Sequence, residues 1–245
     1  MSELNGKRSR EWSVGFIWAF TILAAVVTVT VGAVMRGKSY IPVSVLLVIY
    51  CMVPFFASFE RRKPQARELV TVAVTVALAV AARVAFIWLP NFKPLAAIVM
   101  VAGIGLGPSA GFVVGAFAVL ASGFIFGLGP WLPWQMLSFG LCGLVFGALA
   151  KEGVIPRKGW SWKEKAFVGA GGGLFVLLIA GPILDTSSVF LMLSSFTPEG
   201  VAALYIAGVP VNALQGIATF ATLFLVGGPI LDRLGRLREK YGLLG

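Results

Sequence analysis

Five polar side chains interrupt apolar stretches of this 245-residue chain: Arg83, Gln135, Asp185, Asn212 and Gln215. An ionisable group deep in an apolar run is costly and faces a cavity or a partner. Charges and amides of this kind suit recognition of a small polar molecule better than bond making. Arg83 has three outlets: it can snorkel to the membrane surface, pair with Asp185, or meet an anionic group on a ligand. Asn212 and Gln215 are three residues apart and share one helix face, where interhelical hydrogen bonding would also account for them. Asp185 and Asn91 fall at loop edges, where helix capping is the plain alternative. Catalysis is short of parts. With no histidine in the sequence there is no Ser-His-Asp triad, no imidazole relay and no histidine metal site. Ser187 and Ser188 have only Asp185 nearby, which is not a nucleophile with a base. Cys51 and Cys142 are far apart, lie in apolar runs and fit no metal spacing. No catalytic residue, metal or cofactor is expected.

Three patterns accompany these side chains. Gly127-Leu-Gly-Pro-Trp-Leu-Pro-Trp-Gln-Met136 sets Trp131 and Trp134 beside two prolines and Gln135. Tryptophans anchor at membrane interfaces, while stiff aromatics beside an amide also suit a ligand pocket. Ala73, Ala77 and Ala81 form a small-residue stripe, either packed in a bundle or open to another membrane subunit. Gly103, Gly107, Gly111 and Gly115 recur every four residues, as do Gly123/Gly127 and Gly143/Gly147, a spacing that lets apolar helices approach closely. Gly103-Ile-Gly-Leu-Gly107 lacks the preceding strand and the Lys-Ser/Thr of a nucleotide loop. Gly181-Pro-Ile-Leu-Asp185 recurs as Gly228-Pro-Ile-Leu-Asp232, which reads as chance reuse of a helix-ending sequence.

The elements that must position these residues follow from composition. The chain is 58% hydrophobic and 12% charged with mean hydropathy +0.93, against about a quarter charged in soluble domains. Lipid must cover what charge does not, so an all-α integral membrane protein is expected. Eight spans are expected, at Ser13–Met35, Ile41–Phe59, Leu69–Leu89, Leu95–Leu106, Ser109–Leu128, Trp131–Ala150, Ala166–Leu184 and Val201–Val226. Breaks fall at Pro90, Pro94 and the Gly-Pro pairs 107–108, 129–130, 181–182 and 228–229. The fourth span is too short for a perpendicular crossing of about 20 residues unless protein shields its ends. The first exceeds the roughly 7–15 apolar residues of a cleaved signal, so it is read as retained.

The net charge of +10 is a topology signal. With both termini in the cytoplasm, eight spans put Lys7, Arg8 and Arg10, the Arg61–Arg67 stretch, Lys151–Lys165 and the Arg233–Lys240 tail inside. Only Arg36, Lys38 and Lys93 lie outside, as the positive-inside rule requires. Anionic lipid headgroups are the natural contact of these cations, and nucleic acid is a poor explanation. The intramembrane polar groups then lie at mid-span or further out.

Ala82-Arg-Val-Ala-Phe-Ile-Trp-Leu-Pro-Asn-Phe-Lys-Pro94, Gly107-Pro-Ser-Ala-Gly-Phe112 and Gly129-Pro-Trp-Leu-Pro-Trp-Gln-Met136 resemble the substrate-binding S components of energy-coupling factor (ECF) vitamin transporters, in the subgroup with a Gly-Pro-Trp-x-Pro-Trp-Gln motif. The resemblance implies a six-helix bundle over residues 68–245, preceded by a two-span extension, residues 1–67, that the six-helix pattern lacks. It implies docking of a coupling subunit on Ala73, Ala77 and Ala81, with two ATPase subunits supplying the work that topples the loaded bundle. It puts a vitamin pocket near the outer face, with Arg83, Asn91, Trp131, Trp134, Gln135, Asp185, Asn212 and Gln215 as its candidate residues. Cobalamin or another corrinoid is the expected substrate, because a wide aromatic mouth suits a large ligand. The alternative is a non-transporting scaffold or assembly subunit whose pocket is only packing. A secondary transporter would normally show inverted repeats and mid-span acids, and neither is visible.

Overall fold

Long apolar runs with few charges leave the backbone no water to bond, so it must satisfy itself within helices. The computed structural model describes residues 20–32, 42–43, 45–47, 49–50, 66–193 and 197–241, and every regular element among them is helical. Helix α1 spans Phe20–Gly32. Six helices follow residue 65: α2 (Ala66–Ala85), α3 (Leu95–Leu106), α4 (Pro108–Phe126), α5 (Leu132–Lys151), α6 (Trp162–Met192) and α7 (Pro198–Tyr241). Five of these, all but α3, are long and apolar enough to cross a membrane. The expected second span, the extra basic residues before Ala66, Cys51, and the outer Arg36 and Lys38 lie outside the described residues, apart from helical positions within 42–50. Of the eight expected spans, the described residues hold the last six as helices and parts of the first two.

Helix α3 is the centre of the bundle. All twelve of its residues are buried, and it packs against α2, α4, α5 and α7. At 1.5 Å per residue it is only about 18 Å long, short of the roughly 30 Å hydrocarbon layer. Complete burial in protein resolves that shortfall, because neither end meets lipid.

The glycine spacing works across helices rather than along one. Gly107 has φ 100° and forms the one-residue turn between α3 and α4, so Gly103 and Gly111 belong to opposite arms of a helical hairpin. A Cβ on Gly111 would come within 2.5 Å of the Gly103 Cα. Gly143 on α5 closes against the same place, its own would-be Cβ meeting Gly111 backbone. Three backbones thus touch where no side chain fits. Gly127, at φ 98°, ends α4 rather than continuing the series.

The two Gly-Pro-Ile-Leu-Asp copies do not end helices. Each follows a five-residue π turn, Val176–Ala180 in α6 and Leu223–Gly227 in α7, and the helix then continues. Proline lacks an N–H and its ring crowds the carbonyl four residues back. The wider π turn, with the Gly181 N–H reaching the Val176 carbonyl, lets Pro182 enter without breaking the helix. The spans are longer than expected for this reason: 31 residues in α6, and 39 over Pro198–Arg236 in α7. Ser161 and Glu164 form a capping box at the start of α6, and Thr197 caps α7.

The two ends of the bundle carry unequal numbers of cations. Where α5 finishes and α6 begins, Lys151, Lys158, Lys163 and Lys165 meet the Arg233 and Arg236 segment of α7. Gly159 N donates to Asp232 Oδ1 at 3.2 Å, and the Trp160 ring lies against Gly227. Arg83 and Lys93 stand at the opposite end.

Candidate functional site

The far end of α6 and α7 is joined by a polar clasp. Asn212 Nδ2 donates to Asp185 Oδ2 at 2.7 Å, and the Thr186 and Tyr205 hydroxyls meet at 2.7 Å. Two glycines make room for it. The Asn212 amide fills the place a Cβ would take on Gly181, and the Asp185 carboxylate fills that place on Gly208. Gly181/Asp185 and Gly208/Asn212 are each spaced i, i+4, so each helix presents one glycine notch and one polar key to the other. Asn212 is buried and Asp185 half-buried. One step along the bundle, Ser138 Oγ of α5 donates to the Ala180 carbonyl at 2.9 Å, fixing the π turn of α6.

The aromatic segment divides into two fates. Trp134 is 1% exposed and packs on Phe190 with ring centroids 5.6 Å apart. Trp131 is 39% exposed and folds over Gly129, where any Cβ would strike its ring. The two rings therefore do not frame one wide mouth, as the sequence suggested. Trp134 belongs to the core and Trp131 to the surface. Gln135 follows on α5, half-buried, and its side-chain amide makes no hydrogen bond among the described residues. Gln215, one turn below Asn212 on α7, is in the same position.

Arg83 belongs to a separate cluster, at the ends of α2 and α4. It is buried, its Nη1 donates to Ser122 Oγ at 2.6 Å, and its guanidinium lies 4.6 Å from the Phe126 ring centroid. Pairing with Asp185 does not occur, because Asp185 is engaged by Asn212 on the α6–α7 side. Lys93, in the loop leading into α3, stands 5.0 Å from the same ring. Burial, and after it the Arg83 charge, holds the Lys93 ammonium below the ordinary lysine range. Asn91 caps no helix. It adopts φ 59° and turns the chain between α2 and α3, a conformation that asparagine tolerates better than most residues.

Helix α2 presents its alanine stripe outward. Its buried residues are Thr75, Ala79 and Arg83, while Ala73, Ala77 and Ala81 are exposed. Positions two apart differ by about 200° around a helix, so the two stripes lie on opposite faces. Packing within the bundle, one of two readings open to the sequence, is thus served by the other stripe. Ser122, Thr186, Tyr205 and Phe190 escaped the sequence reading. Hydroxyls and rings in apolar runs are common there, and their partners lie 19 to 39 residues away for Tyr205 and Ser122.

No curated protein and no solved structure matches the chain. The model of the family described as ECF-type riboflavin transporter, S component matches residues 63–234, a range that takes in α2 to α6 and most of α7. The chain accordingly belongs to the ECF-type riboflavin transporter S component family, as a multi-pass cell-membrane protein that is the substrate-binding subunit of a transporter and not itself an enzyme.

Proposed function

We propose that this chain captures riboflavin or a closely related flavin at the Arg83–Trp131–Asp185 end of the bundle and hands it on to an ECF module. The observation that carries this reading is the family match across the six-helix unit. The earlier corrinoid expectation has no support. The family description points to a flavin, and the aromatic frame that suggested a large ligand is divided between core and surface.

A flavin offers a flat ring system with carbonyls, ring nitrogens and a hydroxylated chain. Gln135 and Gln215 hold uncommitted amides, and Asp185, Asn212, Thr186 and Tyr205 form a polar layer that a ligand's hydrogen bonds can join. Trp131 supplies an exposed ring for stacking, and Arg83 and Asn91 belong to the same end. Basic segments at the opposite end support a cytoplasmic side there by the positive-inside rule, and in this reading both termini lie on that side. Residues 68–245 form the capturing bundle, and residues 1–67 are an extension of it.

The chain carries no nucleotide loop, so energy comes from partners: a transmembrane coupling subunit and two ATPase subunits. Ala73, Ala77 and Ala81 give the coupling subunit a smooth helix face, since small residues let membrane helices approach closely. Toppling of the loaded bundle then turns its pocket inward.

The test is titration of the purified chain with riboflavin, followed through quenching of flavin fluorescence by aromatic stacking. Saturable quenching is expected, weakened at least tenfold in Gln135→Ala and Gln215→Ala. Folded protein that leaves flavin fluorescence unchanged overturns the substrate. Folded protein that binds no vitamin and still copurifies with membrane partners would favour a scaffold instead.

A further inference from the structure

Two cations share one aromatic ring where α2 and α4 finish. The Arg83 guanidinium and the Lys93 ammonium both lie within 5.0 Å of the Phe126 centroid. A ring quadrupole attracts one cation readily, but two beside it repel one another. Arg83 is only 8% exposed, so water does little to screen that repulsion.

Its hydrogen bonds are also incomplete. A guanidinium has five N–H donors in a fixed fork. Nη1 is satisfied by Ser122 Oγ, which itself donates a hydrogen bond to the Val119 carbonyl at 3.1 Å and brings no negative charge. Nε is buried with no acceptor among the described residues. Among the described residues no carboxylate stands within ion-pair distance of either cation. A buried charge is normally paired, because an unpaired one forfeits its hydration without replacement. Here two positive groups stand beside one ring, one of them with a donor lacking an acceptor, and no anion of the described residues is paired with either.

We propose that Arg83 and Lys93, with Ser122 between the helices, form a binding site for a phosphate-type oxyanion at this end of the bundle. The pairing fits that chemistry: an arginine fork takes two phosphate oxygens side by side, and a lysine ammonium on a flexible stem takes a third as a point charge. Phe126 backs both cations. The phosphate belongs either to a free solute or to an anionic lipid headgroup. The site does not depend on the identity of the captured vitamin.

The experiment is thermal unfolding of the full chain in neutral maltoside detergent, followed by tryptophan fluorescence. Chloride is exchanged for inorganic phosphate at constant ionic strength, and phosphatidylglycerol is added in a parallel series. At a phosphate concentration a hundredfold above its Kd, the melting temperature should rise by about 5–10 °C. Phosphate also stabilises proteins by general exclusion from their surface, and Lys93→Gln, in a half-buried loop, retains that part. The readout is therefore the difference between wild type and Lys93→Gln, which should lose at least tenfold in apparent affinity. Arg83→Gln should remove the specific response altogether, and should it fail to fold, Lys93→Gln suffices. A solute site responds to inorganic phosphate whether or not phosphatidylglycerol is present. A headgroup site responds to phosphatidylglycerol, which then abolishes the response to inorganic phosphate. Equal responses of wild type and Lys93→Gln to both probes overturn the proposal. Riboflavin binding without any anion response sinks this site and leaves the transport reading intact.

Discussion

Replacing Gly143 with alanine should be among the costliest single methyl additions in the bundle. A Cβ there would lie 2.8 Å from the Gly111 Cα and closer still to the Gly111 carbonyl, where ordinary contact begins at 3.4 Å. The Gly111 carbonyl oxygen, 2.2 Å from that Cβ, is the limiting contact, so the helices must part by about 1.2 Å to reach ordinary contact, and a gap of that size forfeits about half or more of each dispersion contact along the seam. Neither neighbour is a side chain that can rotate away. The cost should reach the upper part of the overpacking range, about 3 kcal/mol. In a chain of this size that corresponds to a fall in melting temperature of roughly 6–12 °C. The assay is thermal unfolding in a fixed detergent, with Gly171→Ala as control. A Cβ on Gly171 meets nothing within 4 Å, and alanine favours a helix over glycine by about 0.8–1.0 kcal/mol. That control should melt at or slightly above the wild-type temperature. Should Gly143→Ala and Gly171→Ala melt together, the three-backbone contact of α3, α4 and α5 is not the seam described.

The α6–α7 clasp makes a second prediction: Asp185→Ala and Asn212→Ala should each destabilise by about 1.5–3 kcal/mol, and the double variant by clearly less than their sum, with a coupling of at least about 1 kcal/mol; strict additivity in the melting data would argue against the hydrogen bond. Lys93 makes a third. Its proton is held less tightly in the folded chain than in the unfolded one, so stability should rise with pH from its lowered pKa up to the ordinary lysine value of 10.5. Lys93→Met should flatten that rise in melting scans at alkaline pH, and an unchanged slope would remove the burial and Arg83 repulsion from the explanation. The outward alanine stripe makes a fourth. Ala77→Leu should leave riboflavin binding and melting temperature near wild type while abolishing copurification with a coupling subunit, and undiminished copurification would place docking elsewhere.

Helices were legible because hydrophobicity alone fixes them in lipid, and the turn at Gly107-Pro108 because glycine at positive φ and proline at a helix start leave few options. The outward face of α2 was half legible: Ala73, Ala77 and Ala81 stand out by size, but only packing shows that Thr75, Ala79 and Arg83 face inward instead. Gly181-Pro182 and Gly228-Pro229 read as helix ends because a π turn leaves no local signature. What keeps α6 continuous includes Ser138 from another helix, 42 residues away in sequence. The candidate site was legible by residue type and not by arrangement. Asp185 and Asn212 were both identified, yet their pairing depends on notches at Gly181 and Gly208 whose purpose only appears when the helices meet. Trp134 looked like pocket material beside Trp131, but Trp134 lies in the first turn of α5, where it packs on Phe190, whereas Trp131 stands just before the helix at its exposed start.

The most direct test of the substrate-capture role is mass spectrometry of small molecules released on denaturing the gently purified chain, with Gln135→Ala beside wild type. A flavin recovered from wild type and depleted from the variant is the expected result. A corrinoid in its place, or an empty wild-type chain that remains folded and fails to take up added riboflavin, would contradict it.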